Sequence, residues 1–211
     1  MSEARAAAGL VDVRRSTPAR SARSSAVPVV TLALAAAAII VALAPSLQRL
    51  LVLDRGRVAS GELWRIVTGN LVHFSAPHLF YDLLVVVVVG WMVERSGRTL
   101  VPVLALSSVI VGTAVLMFAP EIERYGGLSG VACALVVVHA LNGMAAKGLT
   151  RIAAVAILVL LAAKLAWEAR TGGFLFVSDA GGAIRGVPVA HFAGAAAGVI
   201  AWCRPAAGRP A

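Results

Sequence analysis

Ser129 is the first residue whose surroundings point to chemistry. It stands in Gly126-Gly127-Leu128-Ser129-Gly130, at the head of an apolar run that reaches Ala146. A hydroxyl becomes a nucleophile for a carbonyl carbon when a base removes its proton, and imidazole is the side chain suited to that task near neutral pH. The chain has four histidines, His73, His78, His139 and His191. A second candidate pair is His78 with Asp82, four residues apart and therefore on one face of a helix. An imidazole can donate a hydrogen bond to a developing oxyanion. A carboxylate can only accept, unless burial in apolar surroundings keeps it protonated. Each pattern also has a plain structural reading. Ser129 can bond to a helix backbone, His191 can be a satisfied bundle histidine, and His78 and Asp82 can satisfy each other; spacing alone leaves these open.

Composition says what must position these residues. The chain is 60% hydrophobic and 14% charged, with a mean hydropathy of +0.89, too apolar for a soluble domain whose charged share is about a quarter. The expected fold class is all-α, a polytopic membrane helical bundle. The 211 residues hold about six spans of roughly 20 residues with short connections, and no second domain. The net charge of +9 comes largely from Arg and Lys flanking apolar runs, where positive charge sets topology, so no nucleic-acid partner is expected. Cys133 lies inside an apolar run and Cys203 ends one; neither a disulfide framework nor a paired metal motif is visible. No metal or cofactor is implied.

Residues 1–27 carry five arginines among Ala and Ser and read as a disordered basic cytoplasmic arm; 28–203 form the membrane domain, and 204–211 a short cytoplasmic tail. The first apolar run, Pro28 to Ala44, is longer than a secretory-signal core, although Ala42-Leu43-Ala44 has the look of a cleavage site. Five more runs follow: Pro77 to Val93, Leu100 to Ala119, Leu128 to Ala146, Ile152 to Trp167 and Val187 to Trp202. With the N-terminus inside, Arg95, Arg98, Lys147, Arg151, Arg204 and Arg209 fall on the cytoplasmic side, in agreement with the positive-inside rule. The outer segment from Pro45 to Ala76 is the exception, with Arg49, Arg55, Arg57 and Arg65.

This topology assigns depths. Ser129 begins the fourth run and His191 lies four residues into the sixth, both entering from outside; His73 and His78 begin the second at the same level. His139 is ten residues beyond Ser129, about 15 Å deeper at 1.5 Å per residue, and with Asn142 reads as an inner-leaflet polar pair. Gly126, Gly127 and Gly130 thin the fourth helix, and Gly194 and Gly198 one face of the sixth, which permits close packing. Lys164 is expected to snorkel near the outer end of the fifth run, toward Glu168 at i+4.

Four pieces together resemble the rhomboid family of intramembrane serine proteases: Glu62-Leu63-Trp64-Arg65; His73-Phe74-Ser75 followed by His78 and Asp82; Gly127-Leu128-Ser129-Gly130; and Ala190-His191-Phe192-Ala193-Gly194. Their order and placement, from about Pro28 to Trp202, make the combination specific. The resemblance implies that Ser129 is the nucleophile, His191 the general base, and His78 with the Ser129 backbone N–H the oxyanion partners. Two positions depart from the family pattern. Asp82 replaces the usual asparagine, which questions it as an oxyanion donor, and Cys133 stands where an aromatic residue often stacks on the base, so His191 must be held in another way. The compact form is also similar to rhombosortases, which remove C-terminal sorting tails.

The expectation is a serine endopeptidase working by a Ser129–His191 dyad, with no obvious acidic third member. It would act on single-span membrane proteins in the lipid bilayer, in a bacterial inner membrane, with both termini cytoplasmic and the site toward the outer face. The alternative of a different class is a catalytically silent rhomboid-like scaffold that binds transmembrane helices. A small transporter is a third, disfavoured because the runs offer few polar residues across the midplane.

Overall fold

A computed structural model describes residues 27–172 and 186–203; the basic arm through residue 26 and the tail from 204 lie outside them. Each of the six apolar runs forms a helix. The main helices are α1 (Val29–Leu43), α5 (Ala76–Arg95), α6 (Leu100–Phe118), α7 (Ser129–Met144), α8 (Leu149–Thr171) and α9 (Pro188–Cys203). Among the described residues α5, α6 and α8 are long and apolar enough to cross a membrane alone. The pair of α1 and the short α2 (Pro45–Leu51) passes only jointly and bends by 110°, while α7 and α9 are shorter apolar helices. The bend falls at Pro45, the first residue of α2, whose missing N–H suits a helix start and stops α1.

The segment between α1 and α5 is folded rather than a plain connection. It contains α2, the strand β1 (Leu53–Asp54), α3 (Arg55–Ala59), α4 (Arg65–Thr68) and a 3₁₀ turn at Gly69–Leu71. Its arginines explain why it is basic. Arg55 donates to the carbonyls of Leu116 at 2.8 Å and Ala119 at 2.9 Å, capping the C-terminal end of α6. Arg65 is buried; its Nη1 donates to Val52 O at 2.8 Å and Arg49 O at 3.0 Å, and its Nε to Glu62 Oε2 at 2.7 Å. Charges that would oppose the expected orientation are thus spent on holding the loop. β1 pairs antiparallel with β2 (Arg124–Tyr125), Leu53 opposite Tyr125, and so ties this segment to the turn that leads into Ser129.

At the opposite end, the Glu94 carboxylate of α5 accepts from the N–H groups of Val30 (3.1 Å) and Thr31 (2.8 Å), and from the Thr31 hydroxyl. An anion at a helix N-terminus satisfies donors that the helix leaves open. In the middle of the fold, α7 packs against α5, α6, α8 and α9. Val131, Leu135 and Val138 of α7 join Val86 and Val93 of α5 and Val103 of α6 in the main apolar cluster. α8 packs mainly against α7, and less against α9, and leaves most of its apolar surface exposed, as a lipid-facing helix would.

Candidate active site

Two glycines decide how closely the elements of the site approach. A Cβ on Gly194 of α9 would overlap the Gly130 carbonyl, and a Cβ on Gly130 of α7 would lie 2.7 Å from the Ala190 carbonyl. The two backbones therefore touch one residue after Ser129 and one before His191. Ser129 is the first residue of α7, half-buried, and shares with His191 the wall of a cavity of about 180 Å³ that His78, Asp82, Cys133, Lys164 and Glu168 also line. Just before the serine, Gly127 has φ +140°, a conformation that favours glycine, and a Cβ there would meet the His78 ring at 2.7 Å. The hydroxyl of buried Tyr125 donates to the Gly127 carbonyl at 3.3 Å, two residues before Ser129.

His191 is held from α8. Its Nδ1 is 2.7 Å from Glu168 Oε2, and the other Glu168 oxygen accepts from Lys164 Nζ at 2.7 Å. Both side chains of the His191–Glu168 pair are buried, while that of Lys164 is 21% exposed. An ionised carboxylate only accepts, so the short contact requires the hydrogen on Nδ1 and leaves Nε2 with its lone pair. Lys164 Nζ is also 3.2 Å from Nδ1. With that nitrogen protonated, the ammonium acts there as a neighbouring charge and makes its hydrogen bond to Glu168.

His73, just before α5, and His78 on α5 form a different cluster. His73 Nε2 and His78 Nε2 lie 3.1 and 3.3 Å from the same oxygen, Oδ2 of Asp82, and the rings meet edge to face with centroids 5.1 Å apart. His73 Nδ1 is 3.2 Å from the Leu71 carbonyl and must donate to it. Its Nε2 accepts from the Leu128 N–H at 3.4 Å and lies beside Asp82 Oδ2, so this ring links the turn before Ser129 to Asp82. Ser75 caps α5 by accepting from the His78 N–H at 3.3 Å.

The geometry thus gathers Ser129, His191, His78 and Asp82 around one cavity, adds His73 behind Asp82, and leaves His139 farther along α7. Glu168 is the residue the sequence reading placed only as a partner for Lys164. A signal for it exists in the sequence: a carboxylate near the C-terminal end of an apolar helix, on the side of the bundle where α7 begins with Ser129, needs more than one reason to be buried. Trp64 of the Glu62-Leu63-Trp64-Arg65 stretch is 48% exposed, with the Arg65 guanidinium 6.0 Å from its ring.

A family model described as the Rhomboid domain matches residues 60–204. The chain belongs to the rhomboid family. It is also similar to the Rhomboid protease GlpG of Photorhabdus laumondii subsp. laumondii, with 36% identity over 78 residues, which is 36% of this chain and 27% of the relative. That aligned part therefore spans about a quarter of the relative's length. As a rhomboid with a mostly helical bundle and long apolar helices, the chain is an integral membrane protein. The family match takes in every residue of the cavity named above, including the departures from the usual rhomboid pattern at Asp82 and Cys133.

Proposed function

We propose that this rhomboid is an intramembrane serine endopeptidase in which Ser129 and His191 do the chemistry. One observation carries the reading: the α7–α9 contact at Gly130 and Gly194 brings the serine and the histidine to one cavity. In the proposed cycle His191 Nε2 takes the Ser129 proton as Oγ bonds to the substrate carbonyl carbon. The same nitrogen returns the proton to the leaving amide nitrogen as the C–N bond breaks. Water then attacks the acyl-serine with the roles repeated, and Oγ recovers its hydrogen. The carbonyl oxygen receives hydrogen bonds from the Ser129 N–H and from His78, and one such donor is worth about 3 kcal/mol. Asp82 serves this step by orienting His78 and His73. As a carboxylate it is not itself a donor.

The substrates that fit are single-span membrane proteins or C-terminal sorting tails whose helix unwinds near the outer leaflet, where small or helix-breaking residues ease exposure of the backbone. The orientation follows from basic connections. Arg95, Arg98, Lys147 and Arg151 lie at the connections of α5 with α6 and of α7 with α8, which supports cytoplasmic termini and a cavity toward the outside, in a bacterial inner membrane on this reading. The test is cleavage of a single-span reporter co-expressed with the wild type, with Ser129→Ala and with His191→Ala. Cleavage by the wild type alone is expected, and persistent cleavage by either variant contradicts the dyad.

A further inference from the structure

We propose that Glu168, held by Lys164, is a positioning residue for His191, so that the site works as a serine–histidine–glutamate array and not as a bare dyad. The inference rests on the protease reading above and deepens it. Three observations carry it. The imidazole Nδ1 and the carboxylate are 2.7 Å apart and both side chains are buried. The ammonium of Lys164 sits on the second oxygen at 2.7 Å, one helical turn away on α8. Cys133, one turn after Ser129, is too small to brace the ring as an aromatic side chain would, and lines the same cavity.

The charges explain why the pair survives burial. A lone carboxylate in an apolar bundle is costly, whereas Lys164 and Glu168 together are neutral and leave the carboxylate one free oxygen for the imidazole. That oxygen selects the tautomer with hydrogen on Nδ1, and so makes Nε2 the basic nitrogen that a serine proton needs. When Nε2 takes the proton, the imidazolium forms beside an anion that is already in place. Glu168 keeps its charge throughout; the proton moves only between Ser129 Oγ, His191 Nε2 and the leaving group, as it must if atoms and charges are to balance. The other charged or titratable groups facing this cavity are Cys133 on α7 and Tyr81, His78 and Asp82 on α5. None of them is needed to fix the Nδ1 hydrogen.

The experiment is a pH titration of the full chain in lipid nanodiscs, labelled with ¹⁵N-histidine, in which the His191 resonances are assigned by their loss in His191→Asn. It is paired with fluorophosphonate labelling rates at Ser129. In the wild type the neutral ring is expected as the Nδ1–H tautomer. In Glu168→Gln the imidazolium loses its anion and keeps the lysine, so the acid limb of the labelling rate is expected to move to lower pH and the plateau rate to fall by roughly 10²- to 10⁴-fold. The double change Lys164→Met with Glu168→Gln, which buries no unpaired ammonium, loses the Nδ1–H preference as well. An Nε2–H tautomer in the wild type, which needs no variant to observe, overturns the assignment. So does a Glu168→Gln protein whose acid limb and tautomer are unchanged, since a residue that only supports packing would leave both in place. A wild type with the Nδ1–H tautomer whose Ser129 is never labelled overturns the protease reading, and the positioning role with it, and is distinguished from the other failures by where it appears.

Discussion

Two histidine–carboxylate clusters face one cavity, and they are built differently. On α8 and α9 one carboxylate serves one imidazole, and a lysine occupies its remaining oxygen. On α5 one carboxylate oxygen serves two imidazoles, with no lysine or arginine in contact with Asp82 among the described ion pairs. The first arrangement frees a ring nitrogen to act as a base. The second ties ring nitrogens down near the place where negative charge would develop. On the proposed reading, imidazole and carboxylate are directed to proton transfer in one place and to electrostatic support in the other, and what separates them is which atoms the carboxylate leaves unoccupied.

The largest effect should come from breaking the first cluster at its histidine. His191→Ala is expected to remove cleavage of a single-span reporter by about 10³-fold or more while the protein still accumulates in the membrane. His78→Ala breaks the second cluster and should cost about 10²-fold, the usual consequence of losing one oxyanion donor. That loss should appear in the turnover rate, with the pH dependence of the acid limb unchanged because His191 is untouched. A loss as large as that of His191→Ala would mean that the two clusters do not have separate tasks.

Asp82→Asn sharpens the comparison further. A carboxamide oxygen can still accept from His78, and the amide NH₂ can donate to His73 Nε2, so both neighbours of Asp82 can stay satisfied without the charge. Reporter cleavage should therefore stay within about tenfold of wild type or rise, whereas Glu168→Gln removes an anion that His191 needs. A large loss at Asp82→Asn would show that the negative charge, and not the oxygen, is what the α5 cluster requires.

The smallest effect concerns the loop that fixes Tyr125. Asp54 accepts from the Arg57 N–H at 3.1 Å and caps α3. This backbone hydrogen bond, helped by Arg124, holds its carboxyl below the usual range despite some opposing desolvation. A lowered folded value means that the contribution is present above the unfolded value near 3.9 and is lost as pH falls through the folded one. Asp54→Ala should reduce thermal stability by about 1 kcal/mol at pH 7, and the difference from wild type should close only under acid conditions below about pH 4.

The six main helices were legible because each is a long apolar run broken by charged or glycine-containing turns, and their ends fall within a few residues of the runs. Ser129, His191 and His78 could be placed at one depth by counting from helix ends. The internal structure of the segment after α1 was not legible. α3 and α4 are five and four residues long, too short for periodicity to speak, and Arg55 and Arg65 are fixed by carbonyls distant in sequence that no local pattern announces. Glu168 was hidden differently. It had an adequate local partner in Lys164, and its contact with His191 joins residues 23 positions apart, so satisfying the nearer pair removed the reason to look for the farther one.

The central claim is that Ser129 carries an activated hydroxyl. Labelling of the full-length protein in lipid with a serine-directed fluorophosphonate, followed by mapping of the adduct, tests it most directly. The account predicts an adduct on Ser129 in the wild type that is absent from Ser129→Ala and strongly reduced in His191→Ala. An unlabelled Ser129 in folded wild-type protein, or labelling that survives His191→Ala undiminished, would contradict it and favour a rhomboid that binds membrane helices without cutting them.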